Sequence, residues 1–153
     1  MARKALNPDQ LLRLDNQICF AVYSAAHAFN RVYKPLLDRL GLTYPQYLVM
    51  LTLWERDGVP LRDIGERLFL DSGTLTPLLK RLEAAGLIKR TRSTEDERQV
   101  KIALTAQGVA LKERARSVPL SILDASSCSV AELSAVRNEI VALRDRLNAA
   151  VGE

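Results

Sequence analysis

Apolar residues recur at helical spacing along most of the chain, and this pattern predicts a mainly α-helical fold. The clearest example is the segment LDSGTLTPLLKRLEAAGLIKR, residues 70–90, in which leucines occupy one helix face and the opposite side carries hydroxyls and cations. Similar spacing predicts six helices, over residues 7–33, 43–57, 60–70, 72–85, 105–118 and 129–150.

Residues that cap or interrupt helices mark several of these boundaries. Asn7, Thr43 and Ser129 precede three of the helices, and each has Gln or Glu at the position that completes a capping box. Pro35 is expected to disturb the first helix, and Pro119 is expected to limit the fifth.

The helix that begins near residue 70 has two possible starts. A cap at Ser72 would place Pro77 inside the helix, where it removes one intrahelical hydrogen bond. A cap at Thr74 would place Pro77 in the first turn, where no bond is lost. The sequence leaves both starts open.

One region changes from helical spacing to strand alternation. Val100, Ile102 and Leu104 alternate with less apolar neighbours, and residues 87–91 form a second candidate strand across the polar loop 92–99. The pattern predicts a β-hairpin with a charged tip, so the fold class is mainly α with a small β-hairpin.

A short helix, a tight turn, a helix with a polar front and a charged hairpin together predict a winged helix-turn-helix. A recognition helix in the major groove needs short donors near its start and cations farther along, while a hairpin arginine can enter the minor groove. We expect Asp96 to pair with the guanidinium of Arg98 and aim it at the DNA. The candidate DNA-binding residues are Ser72, Thr74, Thr76, Lys80, Arg81, Arg92, Asp96 and Arg98.

Composition limits the chemistry that the chain can carry. Its 153 residues have a formal net charge of +4 and a pI near 9.3, which suits a polyanionic partner without requiring one. Cys19, Cys128 and His27 are too few for a zinc site, so we expect no metal and no cofactor. The first residues lack the apolar core of a signal peptide and no run is long enough for a membrane span, which predicts a cytoplasmic protein.

The first and last helices carry apolar stripes that are longer than a small central unit can cover. We therefore expect them to pack against a second copy of the chain. An ordinary monomeric helical bundle is the alternative interpretation.

The segment from the recognition helix to the fifth helix resembles the MarR family of bacterial winged-helix regulators. Its motif is L…RLEAAGLIKR…DER…I.LTAQG. The resemblance implies a single MarR-type domain over 1–153, with the winged helix-turn-helix at about 43–104 and dimerisation helices at about 7–40 and 105–150. It also implies a homodimer on an inverted repeat in double-stranded DNA, with Arg98 in the minor groove.

The first half of the chain is similar to one branch of that family, the organic hydroperoxide resistance regulators (OhrR). The motifs are LDNQICFAVYSA, YKPLL and GLTYPQYLVMLTLWE. The resemblance implies that Cys19 senses organic hydroperoxides and that Tyr23, Tyr33 and Tyr44 donate hydrogen bonds to its thiolate. Fourteen helical residues span roughly 21 Å, so Tyr33 can reach only the Cys19 of a partner whose first helix runs antiparallel.

The second cysteine has a role only by the same resemblance. Cys128 is the candidate resolving cysteine of a two-cysteine OhrR protein, in which it would form an intersubunit disulfide with oxidised Cys19. An unreactive surface cysteine is the alternative.

These features predict a DNA-binding repressor, not an enzyme, that releases its operator when organic hydroperoxides oxidise Cys19. Two alternatives remain open. One is a MarR-type repressor relieved by a small aromatic ligand at the dimer crevice, with Cys19 incidental. The other is a thiol peroxidase that turns over with a reductant.

Overall fold

The computed structural model describes residues 7–152, which fold mainly into helices with a small antiparallel sheet. The chain divides into two compact units, Met1–Ala115 and Arg116–Glu153. In chain order the elements are α1 (Pro8–Leu11), a 3-10 turn (Leu14–Asn16), α2 (Ile18–Asp38), α3 (Tyr44–Glu55), β1 (Val59–Pro60), α4 (Leu61–Leu68), α5 (Ser72–Ala84), β2 (Ile88–Arg92), β3 (Val100–Leu104), α6 (Ala106–Ala115), α7 (Ser117–Ser126) and α8 (Val130–Val151).

The prediction of one continuous helix over residues 7–33 is wrong. Helix α1 ends at Leu11, a 3-10 turn follows, and α2 begins only at Ile18. Side-chain amides replace the helical ladder at this break, because Asn16 donates to the Gln10 carbonyl at 2.7 Å and Gln17 donates to the Leu11 carbonyl at 2.6 Å.

Helix α2 continues through Pro35 to Asp38, beyond the predicted end near Tyr33. The proline removes only the hydrogen bond that residue 35 would donate to the carbonyl of Arg31. It lies near the end of the helix, where the loss of one bond is tolerated. Helix α2 therefore runs unbroken from Ile18 past Tyr33.

The helix-turn-helix is formed by α4 and α5. Helix α4 is capped at its C-terminus by Phe69, whose φ of 57° is left-handed, and the next amide, Leu70, donates to the Gly65 carbonyl at 2.9 Å. A Cβ on Gly65 would lie 2.8 Å from the Leu70 carbonyl oxygen, so this tight turn needs glycine there.

Both predicted caps of α5 are wrong. Asp71 is the N-cap, and its carboxylate accepts from the Thr74 amide at 2.7 Å. The helix therefore begins at Ser72, and Pro77 lies in its interior with the loss of one bond. Its buried face is the predicted one: Leu75, Leu78, Leu79 and Leu82.

The predicted hairpin is confirmed, and a third strand joins it. Strand order is β1-β3-β2, with Arg90 opposite Ile102 in the hairpin and Val59 opposite Ile102 on the other side of β3. The two-residue β1 escaped prediction because it is too short to show alternation. It places the start of α4 beside the end of β3 that leads into the hairpin tip, because Pro60 is opposite Lys101.

The unit Met1–Ala115 has a core of aliphatic side chains from the helix-turn-helix, the sheet and α3. The side chains of Val49, Met50, Ile64, Leu79 and Ile102 are fully buried. Trp54 ties α6 to this core, because its indole N–H donates to the Gly108 carbonyl at 2.9 Å. The predicted capping box of α3 is confirmed at Thr43 and Gln46.

The unit Arg116–Glu153 contains α7 and α8. Helix α7 was not predicted as a separate helix, and Pro119 lies in its first turn instead of ending the preceding helix. Ser129 and Glu132 form the predicted capping box of α8. Within residues 7–152, no helix is long and apolar enough to cross a membrane.

Candidate sensing cysteine and nucleic-acid interface

Helix α5 presents a polar surface opposite its leucines. Ser72, Thr74, Lys80 and Arg81 are exposed, and Thr76 is half-buried. The Thr74 amide is occupied by Asp71, whereas its side chain is exposed. The predicted DNA-binding residues of this helix are therefore accessible to a ligand in solution.

The tip of the hairpin, residues 93–99, is organised by Asp96. Its carboxylate accepts from the backbone amide of Arg98 at 3.0 Å, and its carbonyl accepts from the Gln99 amide at 2.9 Å. The predicted pairing of Asp96 with the Arg98 guanidinium is therefore wrong, because the carboxylate holds the turn. The guanidinium of Arg98 is exposed, and Arg92 lies at the end of β2, opposite Val100.

Cys19 lies in the first turn of α2 and is exposed. Tyr23 is one helical turn farther along, also exposed, and its ring contacts that of His27 edge-on at 4.5 Å. Exposed apolar side chains flank the cysteine and continue along the same helix: Ile18, Phe20, Val22 and Phe29. The thiol is open to solvent within an apolar surface.

Tyr33 and Tyr44, which the resemblance singled out, are brought together by α2 and α3. Their ring centroids are 5.0 Å apart. Tyr47 completes the cluster at 6.0 Å from Tyr33 and 6.5 Å from Tyr44, and it also packs against Trp54. Within residues 7–152, no hydrogen bond occupies the hydroxyls of these three tyrosines.

The tyrosine cluster consists of neutral phenols. Burial, together with the neighbouring phenols of Tyr44 and Tyr47, raises the pKa of Tyr33 to about 12. Burial also raises the pKa of Tyr44 and, with a contribution from Tyr44, the pKa of Tyr47. Each group therefore keeps its proton at neutral pH and can donate one hydrogen bond to an acceptor.

The acceptor cannot be the Cys19 of the same chain. Cys19 and Tyr33 belong to one unbroken helix, α2, and fourteen residues of helix rise roughly 21 Å. The Cys19 thiolate therefore cannot meet the tyrosine cluster of its own chain.

Cys128 lies between α7 and α8 and is half-buried. Its thiol donates to the Ser126 carbonyl at 3.3 Å, and Ser127 before it has a left-handed φ of 53°. Only the protonated thiol can make this hydrogen bond, so the bond must break before Cys128 acts as a nucleophile.

The sequence interpretation missed Tyr47. Its spacing places it one turn after Tyr44 on α3, where the pattern alone indicates a core residue. It is indeed buried, at 3% exposure. Its position beside two candidate hydrogen-bond donors was the only signal available.

Comparisons with known proteins agree on one class. The family profile of the transcriptional regulators SarA/Rot matches residues 31–115, more than half of the chain. The regulator TtmR of Methylorubrum extorquens is 52% identical over 91% of this chain and 71% of its own length. The organic hydroperoxide resistance transcriptional regulator of Bacillus subtilis is 47% identical over 90% of this chain and 93% of its own.

Solved structures agree in fold. Reduced AbfR bound to DNA, a protein of Staphylococcus epidermidis, superposes with a TM-score of 0.79 at 39% identity, over 95% of this chain and 99% of that one. The same protein in its disulfide form has a TM-score of 0.63 at 41% identity, over 88% and 95% of the two chains.

Proposed function

The chain belongs to the MarR/OhrR-type winged-helix transcriptional regulators, and from that premise we propose that it is a DNA-binding repressor switched by organic hydroperoxides. The carrying observation is the tyrosine cluster. Tyr33 and Tyr44 come from different helices, yet their rings lie 5.0 Å apart and their hydroxyls have no acceptor in residues 7–152. This arrangement suits an acceptor that arrives from outside the chain.

In the proposed homodimer, that acceptor is the Cys19 thiolate of the partner. An antiparallel crossing of two α2 helices would bring the start of one helix to the far end of the other. The apolar side chains exposed around Cys19 would then be covered and would favour organic over inorganic peroxides. Phenol donors and the N-terminus of α3, where Tyr44 lies, both stabilise a thiolate.

The proposed chemistry begins with attack of the thiolate on the distal oxygen of ROOH. The O–O bond breaks, the alcohol leaves with a proton, and Cys19 becomes a sulfenic acid. The Cys128 thiolate then attacks the sulfenic sulfur, the S–O bond breaks, and the hydroxyl group takes up a proton from solvent and leaves as water, which forms an intersubunit disulfide. Because the relative AbfR has been solved both reduced on DNA and in a disulfide form, we propose that the disulfide releases the DNA.

On the DNA side, we propose that α5 enters the major groove with Ser72, Thr74, Thr76, Lys80 and Arg81. The hairpin reaches the minor groove with Arg98, while Arg92 contacts phosphate and Asp96 shapes the tip. Two copies related by a two-fold axis would read the half-sites of an inverted repeat about one DNA turn apart. A modest shift between the two copies would then break the contacts with both half-sites at once. A repressor of this kind would act in the cytoplasm.

The decisive experiment is fluorescence anisotropy of the reduced protein on a duplex from the region upstream of its own gene. Cumene hydroperoxide is titrated into wild type, Cys19→Ser and Cys128→Ser. We expect wild type to release DNA near one equivalent per subunit and to show a dimer band on a non-reducing gel. Both variants should stay bound, and neither should form that band.

Other outcomes identify the alternatives. If wild type and Cys19→Ser both release DNA or both stay bound, Cys19 is not the switch, and a crevice ligand becomes the better explanation. If Cys128→Ser releases DNA as wild type does, Cys19 oxidation alone suffices. Sustained peroxide consumption with dithiothreitol, instead of a stoichiometric reaction, would indicate a thiol peroxidase.

A further inference from the structure

The carboxylate of Glu83 connects the end of α5 to the middle of β2. One oxygen accepts from the backbone amide of Arg90 at 3.0 Å. The other accepts from Nε and Nη2 of the same arginine, each at 3.1 Å. Both side chains are partly shielded, with exposures of 26% for Arg90 and 38% for Glu83. Three hydrogen bonds, all to one residue, make this more than a surface ion pair.

The amide that Glu83 accepts from lies on an open sheet edge. Strand β2 is an outer strand in the order β1-β3-β2, so alternate amides of β2 point away from β3. Arg90 is opposite Ile102, and its amide is directed to Glu83 instead of to β3. The carboxylate therefore takes the place of a missing neighbour strand.

A second connection fixes the turn between α5 and β2. The Gly86 amide donates to the Glu83 carbonyl at 2.9 Å, and the Leu87 amide donates to the Leu82 carbonyl at 3.1 Å. This is the Schellman pattern, and Gly86 has the left-handed φ of 76° that it requires. The turn sets where the chain leaves α5, and the Glu83–Arg90 contact sets the direction of the strand that follows.

Charge makes the position of Glu83 informative. It lies near the end of a helix that would face DNA, where a carboxylate repels phosphates. Arg90 is the middle cation of the strand IKRTR, and its guanidinium is engaged by Glu83, while Lys89 and Arg92 are exposed. A direct electrostatic contribution from this pair to DNA binding would thus be small or unfavourable.

We propose that Glu83 and Arg90 are a positioning pair that holds the hairpin at a fixed angle to α5, so that both elements meet one DNA site together. The inference rests on the proposed DNA binding but not on peroxide sensing. The expected consequence is selectivity for the operator. A hairpin without this contact would still bind phosphates, but it would no longer be held in the position that lets it and α5 bind the operator at the same time.

The test compares Glu83→Ala and Arg90→Lys with a matched control, Glu97→Ala. Glu97 is an exposed acid of the hairpin tip, so its removal changes the charge equally without touching the pair. Binding of the reduced proteins to the operator duplex and to a shuffled duplex of equal length is measured by anisotropy. Arg90→Lys keeps the cation but loses the two-nitrogen contact, so a phosphate-binding role would survive it.

We expect the ratio of operator to shuffled affinity to fall about tenfold in Glu83→Ala and in Arg90→Lys, because each breaks charge-assisted hydrogen bonds. Binding to the shuffled duplex should hold or tighten in Glu83→Ala. The Glu97→Ala ratio should match that of wild type. Hydrogen exchange gives a readout without DNA: the Arg90 amide should exchange faster in Glu83→Ala, while thermal melting shows that the fold is kept.

Three results would overturn the proposal. The first is an unchanged affinity ratio in both variants. The second is a Glu83→Ala that tightens on both duplexes just as Glu97→Ala does, which would make Glu83 a simple repulsive charge. The third is an unchanged exchange rate of the Arg90 amide. If wild type itself fails to distinguish the duplexes, the DNA-binding proposal falls and this one falls with it.

Discussion

The recognition helix α5 and the long helices α2 and α8 bury very different shares of their residues. Helix α5 has 13 residues and buries four leucines. Helix α2 has 21 residues and buries only Leu37, and α8 has 22 residues and buries none. The helix that would read DNA is completed by its own unit, whereas the helices that would sense and dimerise are not.

The exposed faces of the long helices are apolar. On α2 and α8 they include Ile18, Phe20, Val22, Phe29, Val130, Val136, Ile140 and Leu147. Soluble chains rarely leave such surface in contact with water, since covering it is the main favourable contribution to association. The recognition helix thus buries its apolar face within its own unit, and the exposed faces of the long helices support the proposal that a second chain covers them.

The largest expected effect tests the buried leucine face of α5, which is covered within its own unit. Leu79→Ala should lower the free energy of unfolding by about 2–5 kcal/mol, because it leaves a cavity under α5. Leu79 is fully buried. Urea unfolding at one fixed protein concentration measures the change. Val109→Ala, at an exposed position of α6, should change it by less than about 0.5 kcal/mol.

An equal effect of the two substitutions would contradict the assignment of the core to this unit. The assignment would also be contradicted if Leu79→Ala strongly changed the peroxide response but left the free energy of unfolding unchanged. Neither is expected, because Leu79 is fully buried in the core whereas Cys19 is exposed.

The second expected effect tests the exposed apolar face of α8, which a second chain is proposed to cover. Ile140→Glu should weaken self-association roughly a hundredfold or more, because each of two symmetric copies would lose an apolar contact and gain a buried charge. Ile140 is 47% exposed on α8 in the single chain. Sedimentation equilibrium measures the dissociation constant. Its neighbour Glu139→Gln should leave that constant unchanged.

If Ile140→Glu associates like wild type, this face of α8 is not a contact between copies. If the wild-type protein itself remains monomeric at all concentrations, the apolar stripes are better explained by a monomeric helical bundle.

Strong periodicity and capping chemistry made much of the fold predictable. The buried face of α5, the hairpin and the capping boxes at Thr43 and Ser129 all follow from side chains that act within a few residues. The errors came where several side chains could make equivalent hydrogen bonds to the backbone. Asp71 caps α5 instead of Ser72 or Thr74, and the side-chain amides of Asn16 and Gln17 bind backbone carbonyls where the first helix is interrupted.

The candidate site was predictable in part. Cys19, Tyr33 and Tyr44 were singled out by resemblance, and the structure brings the two tyrosines together. Tyr47 could not be distinguished from a core residue by spacing, and the Glu83–Arg90 contact depends on a sheet edge that no short-range pattern reveals. The roles of Cys19 and Cys128 stay predictions.

The smallest expected effect tests whether the tyrosines of the cluster are held as neutral hydrogen-bond donors. The pKa of Tyr33 is raised to about 12, which means that folding favours the protonated phenol. Its contribution to stability is therefore complete below the unfolded pKa of about 10 and is lost as pH rises toward 12. Absorbance at the phenolate band should show a last step near pH 12. Tyr33→Phe should remove that step, whereas Tyr23→Phe, outside the cluster, should leave it. A last step that survives Tyr33→Phe would mean that Tyr33 is not the most strongly held donor of the cluster.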